Sequence, residues 1–276
     1  MSGSFAGLSL DVSRVMGVVN VTPDSFSDGG DAFAPEAAVE RGRELIALGA
    51  DILDIGGEST RPGASSVSVD EEIGRVVPVI SELKKLGSLL SIDTRHAEVM
   101  KAAVFAGVDI INDVSALEGD PEALTAASEL GVPVILMHMR GQPDTMQHDP
   151  RYDDAAGEVR DYLIERVQAC LKAGIPADHI AVDPGIGFGK TAEHNLQILN
   201  RIDEIVGTGR PVVLGVSRKS FIGKIAGEED PKRRLPGSIA AALAAHAKGV
   251  RIFRVHDVGE TVQALKVSDA IRREGV

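Results

Sequence analysis

A (β/α)8 barrel is the fold class that three features of the chain predict. Eight short apolar runs, rich in β-branched residues, each stop at a polar or charged residue. The segments between them carry helical spacing, and 276 residues divide into eight units of about 34. Continuous apolar runs are the mark of parallel strands covered by helices, and a unit of that length holds a strand, a helix and two loops.

The elements follow in order. Val15–Val19 ends at Asn20, and a helix opens near Pro35 with Ala38, Val39, Leu45 and Ile46 on one face. Ile52-Leu53 ends at Asp54. Asp70 is the expected cap of the next helix, whose Ile73, Val76, Val77, Ile80 and Leu83 form an apolar stripe with a kink at Pro78. Leu89–Ile92 ends at Asp93, with Thr94 ahead of the third helix. Ile110-Ile111 ends at Asn112, and Asp120-Pro121 opens the fourth. Val134–Met137 ends at His138 before a helix over about 153–172. Ile180–Val182 ends at Asp183, and a helix runs from Thr191 towards Ile205. Val212–Val216 ends at Ser217-Arg218-Lys219. The long region 218–249 is expected to hold a short helix, a charged loop over 228–234 and a small-residue helix after Pro236. Ile252-Phe253 ends at Arg254-Val255-His256, and 260–274 closes the barrel. Segment 1–14 is too short for a ninth unit and is expected to cover the barrel floor. The whole of 1–276 reads as a single domain.

Composition narrows the function. The net charge of −12 and the absence of Trp disfavour nucleic-acid binding. No basic start, leader-like run or long apolar span points to export or a membrane, so a cytoplasmic location is expected. Cys170 is the only cysteine, which fits a reducing compartment and reads as a buried inert thiol. Within this acidic chain Arg61, Lys190, Arg218, Lys219, Arg254 and His256 all follow strand ends. That gathering suggests an anion site at one rim, although solvated barrel loops carry charges anyway.

Several apparent motifs fail on spacing. Gly185-Ile186-Gly187-Phe188-Gly189-Lys190-Thr191 ends like a P-loop, but the first glycine of that motif is replaced by Pro184. It reads better as a tight turn after a strand. No H-E-x-x-H, Cys/His cluster or G-x-S-x-G elbow is present, which disfavours catalytic zinc and a hydrolase nucleophile.

Asp54, Asp93 and Asp183 remain, each directly after an apolar run, together with Asn112 and Lys219. Carboxylates there are costly to desolvate without donors, so they either tie strand ends together in ion pairs or bind a ligand. A planar heterocycle with amidine-type N–H groups would satisfy them, because a carboxylate accepts two parallel hydrogen bonds.

The motif order carries a resemblance. Asn20-Val21-Thr22-Pro23-Asp24-Ser25-Phe26-Ser27-Asp28-Gly29-Gly30 and Asp54-Ile55-Gly56-Gly57-Glu58-Ser59-Thr60-Arg61-Pro62-Gly63 resemble the first two signatures of the dihydropteroate synthase family. Ser91-Ile92-Asp93-Thr94, Ile111-Asn112-Asp113, Met137-His138-Met139, Asp183-Pro184-Gly185, Ser217-Arg218-Lys219-Ser220 and Arg254-Val255-His256-Asp257 continue it in order. The blocks run across residues 15–257.

The resemblance implies a (β/α)8 transferase of folate synthesis and a sulfonamide target. It would join (7,8-dihydropterin-6-yl)methyl diphosphate to p-aminobenzoate with release of pyrophosphate. It places the pterin on Asp93, Asn112, Met137, Asp183, Lys219 and Arg254, with Asp54 in support. Asp93, Asp183, Lys219 and Arg254 carry the chemistry. The diphosphate falls to Asn20, Thr60, Arg61, Arg254 and His256, with Asn20 also reaching Mg2+. Phe26, Ser27, Thr60, Pro62, Phe188 and Ser220 would frame p-aminobenzoate, and Asp24, Phe26 and Asp28 belong to the lid loop. A homodimer is also implied. Since no nucleophile–base pair is visible in the chain, a dissociative route through a pterin-methyl cation is expected. A pterin-binding methyltransferase on a similar barrel and a non-catalytic pterin-binding paralogue are the alternatives. The diphosphate residues and the lid loop disfavour both.

Overall fold

The computed structural model describes residues 3–22, 35–58, 67–141 and 145–274. A hairpin, β1 (Ser4–Phe5) and β2 (Leu8–Ser9), precedes the barrel. The barrel strands are β3 (Arg14–Asn20), β4 (Ile52–Gly56), β5 (Leu89–Asp93), β6 (Ile110–Asp113), β7 (Val134–Met137), β8 (Ile180–Asp183), β9 (Val213–Leu214) and β10 (Ile252–Val255). All eight pair in parallel in the order β8-β7-β6-β5-β4-β3-β10-β9. A single bridge between Val182 and Val212, with Val182 N–H donating to Pro211 O at 2.9 Å, closes the ring from β8 to β9.

The helices between them are α1 (Pro35–Ala47), α2 (Val69–Lys84), α3 (Ala97–Ala106), α4 (Ala123–Leu130) and α5 (Ala155–Lys172). They continue as α6 (Ala192–Asn200), α7 (Ile202–Val206), α8 (Ser220–Ala226), α9 (Leu235–Ala247) and α10 (Val258–Glu274). The long 218–249 region is divided as expected, into α8, a turn at Pro231–Arg233 and α9.

Two local expectations change, the cap of α2 and the helix over 191–205. Ser68, not Asp70, caps α2, its hydroxyl accepting from Glu71 N, and Pro78 sits inside a helix that continues to Lys84. Thr94 precedes α3 as expected, with His96 at the N-cap, and Asp120 Oδ2 accepts from Ala97 N at 2.9 Å. The helix expected over 191–205 is two helices broken at Arg201. That residue leaves helical geometry (φ −120°, ψ 24°) and binds Asp154 and Glu204 with its guanidinium.

The two-residue period of the strands positions the site. Leu53, Ile55, Leu90, Ile92, Ile111, Leu136, Val182 and Phe253 face the helices in the main core. The alternate residues Met16, Ile52, Ile110, Ile135, Ala181, Val213 and Ile252 fill a separate interior cluster together with Phe5. Phe5 of the hairpin is 1% exposed, so the segment before β3 plugs the barrel floor as expected. Burying one such side chain contributes roughly 1.5–3 kcal/mol. Two residues further along the same strands stand Asp54, Asn112, Met137, Asp183, Gly215 and Arg254. Strand parity therefore sends the second residue after these floor positions to the carboxyl end of the barrel interior, where barrel active sites lie.

Candidate active site

Arg254 organises the carboxylates. Its Nε donates to Asp54 Oδ2 and its Nη2 to Asp93 Oδ2, both at 2.6 Å. Asn112 Nδ2 donates to the same Asp54 oxygen at 3.1 Å. Asp54 is wholly buried and Asp93 nearly so. Burial holds against the charge of Arg254, but the two aspartates beside it more than offset that and raise its pKa above the ordinary guanidinium value. Burial pushes the Asp93 carboxyl up to about 7 in spite of Arg254, with Asp54 and Asp113 adding to the rise. The buried Oδ1 atoms of Asp54 and Asp93 have no hydrogen-bond partner among the described residues.

Asp183 faces the same cavity from β8. Its Oδ1 accepts from Gly185 N at 2.7 Å, and burial again raises its pKa, opposed by that bond and by Lys219. Asp93, Asn112, Met137, Asp183, Lys219 and Arg254 thus line one cavity. Phe188 also lines it, and Lys219 Nζ stands 4.2 Å from the centre of its ring, at cation–π distance. Val114, Gly185, Ile186 and Gly215 complete the wall, although the sequence assigned none of them a binding role. Gly215 left a signal, since it interrupts an otherwise apolar strand.

The turn after β8 needs its glycines. Gly185 (φ +64°) and Gly189 (φ +62°) would bring a Cβ to 1.9 Å of His138 O and 2.2 Å of Arg140 O respectively. Lys190 locks this turn. Its Nζ bonds His138 Nδ1 at 2.9 Å and donates to the carbonyls of Gly185 and Phe188 at 3.0 Å. Burial lowers its pKa well below that of a free lysine, and burial together with Lys190 drives His138 down to about 2. Lys190 is therefore a buried structural residue, which corrects its placement among the rim cations.

Arg218 is a second correction. It adopts φ +59° and pairs with Asp257. His256 lies half-buried beside Ser217, whose Oγ meets its backbone N at 3.2 Å and its Nδ1 at 3.0 Å. Asn20 ends β3 in register with Gly56, which pairs with Asp93, so these termini share one level of the barrel mouth. Ser220 opens α8 and is exposed, outside the cavity wall. Asp24, Phe26, Ser27, Asp28, Thr60, Arg61 and Pro62 lie outside the described residues. Cys170 is buried, with its thiol pushed up to about 11 by burial, as an inert thiol should be.

The arrangement offers two carboxylates with buried acceptor capacity, an amide, an ammonium and a guanidinium beside an apolar wall. It suits a planar heterocycle rich in N–H groups. Residues 16–256 match the family model described as pterin binding enzyme. The chain is 48% identical over 267 residues to the dihydropteroate synthase of Escherichia coli K12, covering 96% of this chain and 94% of that protein. It superposes with a TM-score of 0.91 and 51% identity on Xanthomonas albilineans dihydropteroate synthase with 4-aminobenzoic acid, covering 96% of this chain and 95% of that one. A structure of the X. albilineans protein with 7,8-dihydropteroate gives a TM-score of 0.88 and 48% identity at the same coverage.

Proposed function

The chain belongs to the dihydropteroate synthase family of pterin-binding enzymes, and from that premise we propose that it makes 7,8-dihydropteroate in folate synthesis. The substrates are (7,8-dihydropterin-6-yl)methyl diphosphate and p-aminobenzoate. The observation that carries this reading is the cavity itself, where Asp93, with one buried oxygen unpartnered among the described residues, stands with Asn112, Asp183 and Lys219.

In this reading Asp93 and Asp183 accept from the N–H edges of the pterin, and Asn112, Met137 and Lys219 complete its seat. Asp54 serves by holding Arg254. Arg254 presents its flat cation to the ring and to the departing diphosphate, a double use open to arginine and not to lysine. Asn20, Thr60, Arg61 and His256 take the diphosphate. Phe26, Ser27, Thr60, Pro62, Phe188 and Ser220 frame p-aminobenzoate, with Asp24, Phe26 and Asp28 as the lid. A sulfonamide, also an aryl amine with an acidic head, competes there.

The C–O bond between the pterin methylene and the diphosphate breaks first, its electron pair leaving with the diphosphate. The amine of p-aminobenzoate then closes the C–N bond and loses a proton. Buried carboxylates stabilise the positive fragment, and the Arg/His group stabilises the negative one. The amine needs placement more than deprotonation. Asn20 fits Mg2+ by its chemistry, since a neutral amide oxygen plus diphosphate oxygens suits a hard ion that keeps several waters. When bound, the ion neutralises charge on the diphosphate.

The test is turnover. Pyrophosphate release that requires both p-aminobenzoate and the pterin diphosphate is expected, and release that ignores p-aminobenzoate contradicts the reading. A pH dependence follows from Asp93. Its carboxyl, raised to about 7, must be ionised to accept from the pterin, so affinity falls as pH drops below 7, by up to about tenfold per unit. Calorimetry with a pterin between pH 6 and 7.5 measures this. Asp93→Asn should flatten the profile, and a flat profile in the unaltered protein would remove the protonation step.

The proposed partner is a second copy of the chain, with Val267 and Ile271 exposed one turn apart on α10 as a candidate apolar contact. Among the described residues no helix is long and apolar enough to cross a membrane, and a cytoplasmic location is proposed.

A further inference from the structure

Three side chains behind the barrel mouth converge without forming a hydrogen-bonded network. Glu58 follows β4, Glu72 lies in the first turn of α2, and His96 caps α3. One ligand atom from each lies within 4.8 Å of the others. His96 Nε2 is 3.9 Å from Glu58 Oε2 and 4.0 Å from Glu72 Oε2. These separations are too long for hydrogen bonds and too short for indifference.

We propose that Glu58, Glu72 and His96 form a binding site for one divalent transition-metal ion, Zn2+ by donor chemistry. The site is distinct from the diphosphate-linked Mg2+, because none of its residues lines the pterin cavity and Asn20 is not among them.

The decisive observation is Glu72. It is 0% exposed, and among the described residues neither carboxylate oxygen has a partner at hydrogen-bond geometry, with the Thr94 side chain close enough to favour its charge; the buried Nε2 of His96 also lacks a partner there. A buried carboxylate left in this state is costly unless a counter-charge meets it. Among the described residues the nearby arginines are already committed. Arg95 spreads its Nε and Nη2 over both Glu58 oxygens at 3.2 Å, and Arg75 donates to Gly57 O at 2.8 Å and pairs with Glu71. Arg95 thereby holds Glu58 in orientation, as carboxylate ligands of metals are commonly held.

The cluster is also sterically fixed. A Cβ on Gly57 would meet Glu72 Cγ at 2.9 Å and Val76 Cγ1 at 2.8 Å, so the chain after β4 presses directly on Glu72. One imidazole and two carboxylates make a mixed N/O donor set, which suits Zn2+ and its neighbours better than Ca2+ or Mg2+. The two separations from His96, 3.9 and 4.0 Å, close to those of tetrahedral zinc, with bonds of ~2.0–2.2 Å, by a contraction of ~0.5 Å, and three protein donors leave a fourth position for water. A bound ion would tie the end of β4 to the first turns of α2 and α3.

The test uses the full-length protein stripped with a chelator, with no pyrophosphate present. Titration with Co2+ as a spectroscopic probe, then Zn2+ as competitor, should show one equivalent bound with visible bands typical of four or five ligands. Thermal melting should rise with Zn2+. His96→Gln and Glu72→Gln should each weaken binding at least tenfold, whereas Asn20→Ala should not. If Glu72→Gln fails to fold, His96→Gln carries the test, because that side chain is 25% exposed. Absence of binding at millimolar Zn2+, or equal affinity in His96→Gln, overturns the proposal and leaves Glu72 as a buried protonated acid.

Discussion

Arg254→Ala is expected to lose on two counts at once. The guanidinium is the only group bonded to both Asp54 and Asp93 among the described residues, and its removal leaves two buried carboxylates facing each other. Removing one partner of a buried ion pair typically costs ~3–5 kcal/mol of stability. Asp93, already raised by burial and by Asp54, would then protonate and lose its capacity as a charged acceptor for the pterin. The chemical step suffers separately, by ~2–4 kcal/mol by analogy with loss of an oxyanion-hole donor, since charge on the diphosphate grows as the bond breaks. Arg254→Lys keeps the charge but lacks the fork that spans both aspartates, and should fall between the two. Adding Asp54→Asn to Arg254→Ala should recover part of the stability and none of the single-turnover rate. Equal recovery of both would mean that Arg254 acts only by holding the fold. In the unaltered enzyme, single-turnover rates across anilines of differing basicity should vary little if the diphosphate departs first. A steep rise with basicity would make attack and departure concerted.

The sequence disclosed the strand ends because parallel strands advertise themselves as apolar runs, and the residue that stops the run is the one that reaches the barrel mouth. Asp93, Asn112, Asp183 and Arg254 were legible for that reason. Direction within the mouth was not. Lys190 and Arg218 also follow strands, yet the glycine turn folds Lys190 back onto backbone carbonyls, and a positive φ aims Arg218 at Asp257. Proximity in sequence to a strand end does not tell which way a side chain points. Val114 and Ile186 were hidden because an apolar wall residue has the same sequence signature as a core residue. The break at Arg201 has no glycine or proline to announce it, and its partner Asp154 is 47 residues away. Glu58, Glu72 and His96 belong to three elements and share no local pattern. Only the packing of α2 and α3 beside β4 brings them together.

Asp183 separates ligand binding from folding more cleanly than any other residue of the cavity. Its carboxylate has one observed duty and one proposed: Oδ1 anchors Gly185 N at 2.7 Å, and in the proposed function its remaining acceptor capacity serves the pterin. Asp183→Ala removes both and exposes the glycine turn to rearrangement, so its effect mixes binding with local order. Asp183→Asn keeps an oxygen for Gly185 while replacing a charged acceptor with a neutral amide. Burial raises the pKa of Asp183, so the charge is unfavourable to the empty fold, and the asparagine variant should be as stable as the unaltered protein or more so. Pterin binding should move the other way. Charge-assisted hydrogen bonds contribute ~1.5–3 kcal/mol each, and an amide N–H directed at a ligand N–H repels it, so a loss of tenfold or more is expected for Asn and a larger one for Ala. Calorimetry with a pterin and thermal denaturation of the same samples measure the two effects side by side. Unchanged affinity in Asp183→Asn would remove the carboxylate from the pterin site, whereas lost affinity with undiminished stability fixes its charge as a binding device for which the fold itself has no need.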